Sequence, residues 1–174
     1  MTADEKRKAY YAIPSAIRKE VAELSVFSDF SAAAKLGVDP GTPKNEQPPL
    51  PDISCRIGGQ PYLFELGEIT DEALAGQIGR SLRAGTDGEG GFLSEEEPLV
   101  RMIVKKAGST YQTAGVPVDL LLHYDKQYPF APANYLELHE EEIASALVPN
   151  GPFSRIWIYD GWNKTVLWVR TPIS

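Results

Sequence analysis

The stretch Pro51-Asp52-Ile53-Ser54-Cys55-Arg56-Ile57-Gly58-Gly59-Gln60-Pro61-Tyr62-Leu63-Phe64-Glu65-Leu66-Gly67-Glu68-Ile69 constrains the fold more than any other part of the chain. Two short apolar runs flank a Gly-Gly pair, and adjacent glycines supply the positive φ angles that a two-residue hairpin turn needs. The stretch therefore predicts two antiparallel strands with Gly58 and Gly59 as the loop. Ile57 then pairs with Gln60, and counting back along both strands sets Asp52 across from Glu65. Facing residues on such a ladder have Cβ atoms roughly 4.5–5.5 Å apart. Like charges held that close destabilise a sheet, so the arrangement makes most sense with a cation between the two carboxylates. The alternative is that Asp52 only ends a loop and Glu65 lies on a solvated face.

A Pro-Asp pair, a hairpin turn and then a Glu in an apolar second strand resemble the core of the PD-(D/E)XK nuclease superfamily, the restriction-endonuclease-like fold. In element order the resemblance runs from Pro51 to Trp168. It implies that Asp52 and Glu65 hold a divalent metal, Mg²⁺ or Mn²⁺, and that a lysine two positions after the Glu helps to activate the attacking water. Here that position is Gly67, and Glu65-Leu66-Gly67-Glu68 is similar to the Glu-x-x-Glu variant of degenerate branches of the superfamily. In several families of this fold the lysine has moved to a neighbouring helix, which would make Lys106 its replacement. The resemblance also allows an acidic residue of the first helix, Glu20 or Glu23, to join the metal site. Without it, Lys106 reads as a boundary lysine reaching for water, and Glu20 and Glu23 as part of a solvated helix face.

Composition narrows the classes that remain. A chain of 174 residues, 43% hydrophobic, is long enough for one domain with a real core and short for two. A single cysteine, Cys55, excludes an internal disulfide and a cysteine-rich zinc site. The charged N-terminus lacks the apolar core of a signal peptide, and no apolar run approaches a membrane span, so the expected location is the cytoplasm. A net charge of −7 opposes broad binding to phosphate backbones. Nucleic-acid contact must then be confined to a local basic patch, and the densest one in sequence is Lys6, Arg7, Lys8, Arg18 and Lys19, interrupted by acids.

Ile13, Ile17, Val21 and Leu24 recur at helical spacing and predict a first helix with one apolar face. A second helix, or two turns, is expected over 25–36 around Phe27 and Phe30, ended by Gly37. Residues 38–51 are rich in proline and turn formers and predict an extended connection without regular structure. After Glu68 a helix capped by Thr70 is expected, then a glycine-rich loop at 84–92 whose Asp87 and Glu89 argue against phosphate binding. Ser94 and Glu97 form a capping box for a helix running to Tyr111, with Leu99, Val100, Ile103, Ala107 and Thr110 buried and Lys106 at the edge of that face.

Val116 to Asp125 is a nearly continuous apolar run, as expected of a strand buried on both faces. His123 and His139 lack metal-binding spacing, and no serine sits in a G-x-S-x-G elbow. A loop over 126–134 and a helix over 136–147 follow. Arg155–Asp160 and Thr165–Val169 predict a second hairpin turning at Gly161–Lys164, with Trp157 and Trp168 packed and Trp162 open to a partner.

The whole reads as one α/β domain over 1–174, a mixed central sheet of about five strands flanked by helices, with 1–50 as an N-terminal helical extension. Two functions follow. One is a metal-dependent nuclease, active or decayed, with Asp52, Glu65 and Lys106 in its site. The other is a non-catalytic interaction protein on the same scaffold, whose partner or second copy would sit on the edge made by the C-terminal hairpin or near Trp162.

Overall fold

The computed structural model describes residues 2, 5, 12–69, 98–124, 136 and 139–172. The helix expected from Thr70, the glycine-rich loop, the Ser94 capping box, the 126–134 loop and the basic residues Lys6, Arg7 and Lys8 lie outside these residues. The described part is an α/β domain built on one six-stranded mixed sheet in the order β1-β2-β3-β4-β5-β6. Its elements are α1 (Ser15–Ala33), β1 (Lys44–Asn45), β2 (Ile53–Ile57), β3 (Gln60–Glu68), α2 (Pro98–Ala107), β4 (Val118–Tyr124), α3 (Glu140–Ala146), β5 (Arg155–Asp160) and β6 (Thr165–Arg170).

The hairpin forms as its glycines dictate. Gly58 and Gly59 have φ of 58° and 78°, and Ile57 pairs with Gln60 and Ile53 with Phe64. Both turn N–H groups donate to the Asp39 carboxylate, at 3.1 and 2.8 Å, which straps the preceding loop onto the turn. β3, β4 and β5 run parallel, while the β1-β2-β3 and β5-β6 pairs are antiparallel. β4 lies between two parallel neighbours and every one of its residues is buried, as its apolar run predicts.

Alternation along the strands divides the core in two. Leu120 and Leu122 of β4 join Leu63, Ile156, Ile158 and the α2 and α3 residues Val100, Ile103 and Ile143 on one face. Leu121 joins Ile53, Phe64, Trp157, Tyr159 and the α1 residues Phe27 and Phe30 on the other. The ring of Phe30 meets Phe64, Trp157 and Tyr159 with centroids 5.4–6.2 Å apart. Burial of each such aromatic contributes roughly 1.5–3 kcal/mol.

Four expectations change. The sheet has six strands rather than five, because Lys44 and Asn45, in a segment expected to lack regular structure, pair with Ser54 and Ile53. One continuous α1 replaces two helices, since nothing between Leu24 and Ser25 breaks it. Ile13 just before it and its own Ile17 and Val21 face solvent, with Val21 64% exposed. The two phenylalanines bury more area and set the rotation of the helix about its axis, which leaves the shorter aliphatic stripe outside. Finally, α2 ends at Ala107 and leaves Thr110 exposed. For the helix expected over 136–147, Leu136 is helical and buried and α3 spans Glu140–Ala146, while 137 and 138 lie outside the described residues. Among the described residues no helix is long and apolar enough to cross a membrane.

Candidate functional site

At the ends of the parallel strands β3 and β4, a cleft of about 550 Å³ opens between α1 and α2. In open α/β sheets this carboxyl end of the strands is the common place for a ligand, because loops and helix ends surround it. Ser15, Arg18, Lys19, Ala22, Glu23 and Val26 of α1 line one wall, and Met102, Lys105 and Lys106 of α2 the other. Asp52, Leu66, Gly67, Glu68 and His123 form the floor. The lining holds four cations against three carboxylates in a chain of net charge −7, so it is locally basic.

Asp52, Glu65 and Lys106 come together here. One step past the Ile53↔Phe64 pair, Asp52 stands opposite Glu65, and its Oδ2 accepts the backbone N–H of Leu66 at 2.9 Å. Glu65 is buried, and the Lys106 ammonium donates to its Oε1 at 2.6 Å. Burial holds the Glu65 carboxyl above its ordinary proton affinity; the hydrogen bond from Lys106 opposes that shift and the charge of Asp52 adds to it. Asp52 and Lys106 line the cleft, whereas Glu65 does not; it lies behind Lys106.

Gly67 lies where α2 comes close to β3. A Cβ built at Gly67 would lie 2.6 Å from Leu122 Cδ2 and 3.3 Å from Met102 Cγ, so a side chain there would force both neighbours to shift. α2 packs close over the strand at this glycine, and that approach carries Lys106 to Glu65.

Four further groups complete the surroundings: Lys19 and Glu23, both singled out in the sequence, and Tyr111 and His123. Lys19 reaches Glu23 Oε1 at 3.2 Å and Asp52 Oδ1 at 4.0 Å. Glu23 also accepts from Asn45 Nδ2 at 3.2 Å, and burial together with Asp52 raises its pKa against the pull of Lys19. Glu20, by contrast, turns to Gln47 Nε2 at 3.2 Å on the exposed surface and is not in the cleft lining. Tyr111 donates to the Lys106 carbonyl at 2.9 Å; burial and then the neighbouring Glu65 charge push its hydroxyl pKa up. His123 reaches the floor because β4 ends there. Its isolation in sequence hid this, whereas the i,i+4 pairing of Lys19 with Glu23 was a visible though common helix pattern.

Away from the cleft, Asp119 is fully buried on β4, and its Oδ2 accepts from Arg155 Nε and Trp157 Nε1, both at 2.8 Å. The Arg155 guanidinium lies over the rings of Tyr62 and Trp157, 5.6 and 5.1 Å from their centroids. Trp157 therefore packs in the core as expected, while Trp162 is 64% exposed at the β5-β6 turn.

Comparison of the chain with family models, with curated proteins and with solved structures finds no match.

Proposed function

We propose that the cleft is the site of a divalent-metal-dependent phosphodiesterase acting on nucleic acid, built on a restriction-endonuclease-like scaffold. The observation that carries this reading is the meeting of Asp52, Glu65 and Lys106 at the strand ends of a locally basic cleft. Among the described residues no group of three or more His, Cys, Asp or Glu is arranged to hold a metal. The donor set is thus two carboxylates, completed by backbone oxygens and water, and Mg²⁺ is commonly held in that way together with substrate phosphates. Two carboxylates so close, one of them buried, carry unfavourable charge that a cation relieves, so the residues fit the ion. When bound, Mg²⁺ or Mn²⁺ supplies a water of lowered pKa and offsets charge developing on the phosphate.

The protein's own groups do the rest. Asp52 is oriented by the Leu66 N–H, and Lys106 is held on Glu65, from which it orients the water for in-line attack. Arg18, Lys19 and Lys105 attract the phosphate backbone into the cleft.

Calorimetric titration of Mn²⁺, followed by cleavage assays on single- and double-stranded oligonucleotides, tests the proposal. Asp52→Asn and Glu65→Ala should each abolish Mn²⁺ binding. Lys106→Met should keep it and lower turnover by roughly 10²–10⁴-fold, the range for loss of a positioned proton-transfer group. A folded wild type that binds no Mn²⁺ overturns the reading.

A second reading, a non-catalytic interaction protein, is favoured by solvent-facing Ile13 with Ile17 and Val21 of α1, and by exposed Trp162, Leu167 and Val169 of the β5-β6 hairpin. Under it, the wild type binds no Mn²⁺, and charges substituted on one of these patches abolish association without disturbing the cleft.

A further inference from the structure

Two of the lysines that line the cleft, Lys19 and Lys106, are held very differently. Lys106 comes from α2, its side chain is 22% exposed, and it makes one short bond to a buried carboxylate. Lys19 comes from the opposite wall, its side chain is 69% exposed, and its ammonium is shared between Glu23 at 3.2 Å and Asp52 at 4.0 Å. A charge-assisted bond of 2.6 Å in a desolvated setting fixes a side chain. An exposed ammonium 4 Å from a carboxylate gains little and exchanges readily with water. Lys19 also stands over the one carboxylate of the Asp52–Glu65 pair that opens directly into the cleft.

We propose that Lys19 is the displaceable counterion of this site. In the metal-free protein it neutralises Asp52 and Glu23. A divalent cation arriving at Asp52 repels it, and the ammonium, still tethered to α1 at the cleft wall, turns to receive a phosphate oxygen of the substrate. The geometry suits both positions. Residues 15, 19, 22, 23 and 26 share the cleft-facing side of α1, and a four-carbon stem moves its charge by several ångströms with no backbone change. Lys106 cannot exchange in this way, because leaving Glu65 would strand a buried carboxylate. The site thus has one fixed cation for the reaction and one mobile cation for the exchange of metal and substrate.

The inference rests on the metal-dependent reading, and its test separates the two. Mn²⁺ affinity is measured by calorimetry for wild type, Lys19→Met and Lys19→Arg. A fluorescein-labelled single-stranded 12-mer is then titrated against each protein in Ca²⁺, with thermal unfolding as a check on folding. Removing one positive charge about 4 Å from Asp52 should tighten Mn²⁺ binding roughly fivefold, from the Coulomb term in a water-like dielectric. The same Lys19→Met change should weaken oligonucleotide binding, and Lys19→Arg should stay near wild type in both. A purely structural lysine would weaken both or move neither. If wild type binds Mn²⁺ and Lys19→Met binds it no tighter, the counterion role is wrong and the metal site stands. If folded wild type binds no Mn²⁺, both fall.

Discussion

Two of the buried acids on the sheet are each paired with a cation from another element. Glu65 on β3 meets Lys106, and Asp119 on β4 meets Arg155. The Asp119 pair is closed: Arg155 is laid over two rings, and the same carboxylate oxygen takes the Trp157 N–H. The Glu65 pair is open. It backs onto a cleft, a second carboxylate and a third lie within electrostatic reach, and another lysine approaches from across the cleft. Planar guanidinium and aromatic faces lock one pair as architecture, whereas the other, fixed at Glu65, stands beside Asp52, Glu23 and the exposed ammonium of Lys19. The contrast shows that burial of an ion pair alone does not mark a site.

The comparison can be broken by experiment. Asp119→Ala should have the largest effect on stability. It strands Arg155 and the Trp157 N–H, and loss of one member of a buried pair costs about 3–5 kcal/mol in denaturant unfolding. Mn²⁺ binding at the cleft should survive in whatever fraction folds. Gly67→Ala should come next, at about 1–3 kcal/mol, because its Cβ would force Leu122 and Met102 apart. Since α2 moves with Met102, this variant should also lower Mn²⁺-dependent activity, which a loss of stability at Asp119 should not.

The Asp119 pair also predicts a pH dependence. Burial raises the folded-state pKa of Asp119 above its ordinary value, against the pull of Trp157 and Arg155. Its contribution is therefore fully present below the unfolded pKa and is lost as pH rises through the folded one. Asp119→Asn should remove that loss, so its stability relative to wild type should increase as pH is raised from below the ordinary aspartate value of 3.8, by at most about 1.4 kcal/mol per pH unit. Urea midpoints across this range check the sign.

Tyr111→Phe removes a hydrogen bond to the Lys106 carbonyl and should cost about 1 kcal/mol while reducing Mn²⁺-dependent turnover through a looser Lys106. The smallest effect belongs to Lys164→Ala. Its pair with Asp29 is 3.0 Å long but solvated on both sides, so the loss should be within about 0.5 kcal/mol, a surface reference for the two buried pairs.

Local chemistry made much of the scaffold legible in sequence. The Gly58-Gly59 turn sets the register that carries Asp52 to Glu65, and the unbroken apolar run of β4 matches a strand between two parallel neighbours. The helical period of α2 put Lys106 at the edge of its buried face, where it is found. These signals are short-range and survive without knowledge of the rest of the chain. Ile13, Ile17 and Val21 show where such signals end: their spacing is a sound helix signal, but which face packs was settled by Phe27 and Phe30 meeting Phe64 across the sheet.

The sequence by itself determined the turns, the periods and therefore most of the strands. Only the tertiary structure decided which charges meet: Lys19 with Asp52, Lys106 with Glu65, Arg155 with Asp119. Those partners are 33, 41 and 36 residues apart. No period or turn preference reaches that far, and the meetings follow instead from how closely helices can approach the sheet, as at Gly67, where a missing side chain lets α2 in.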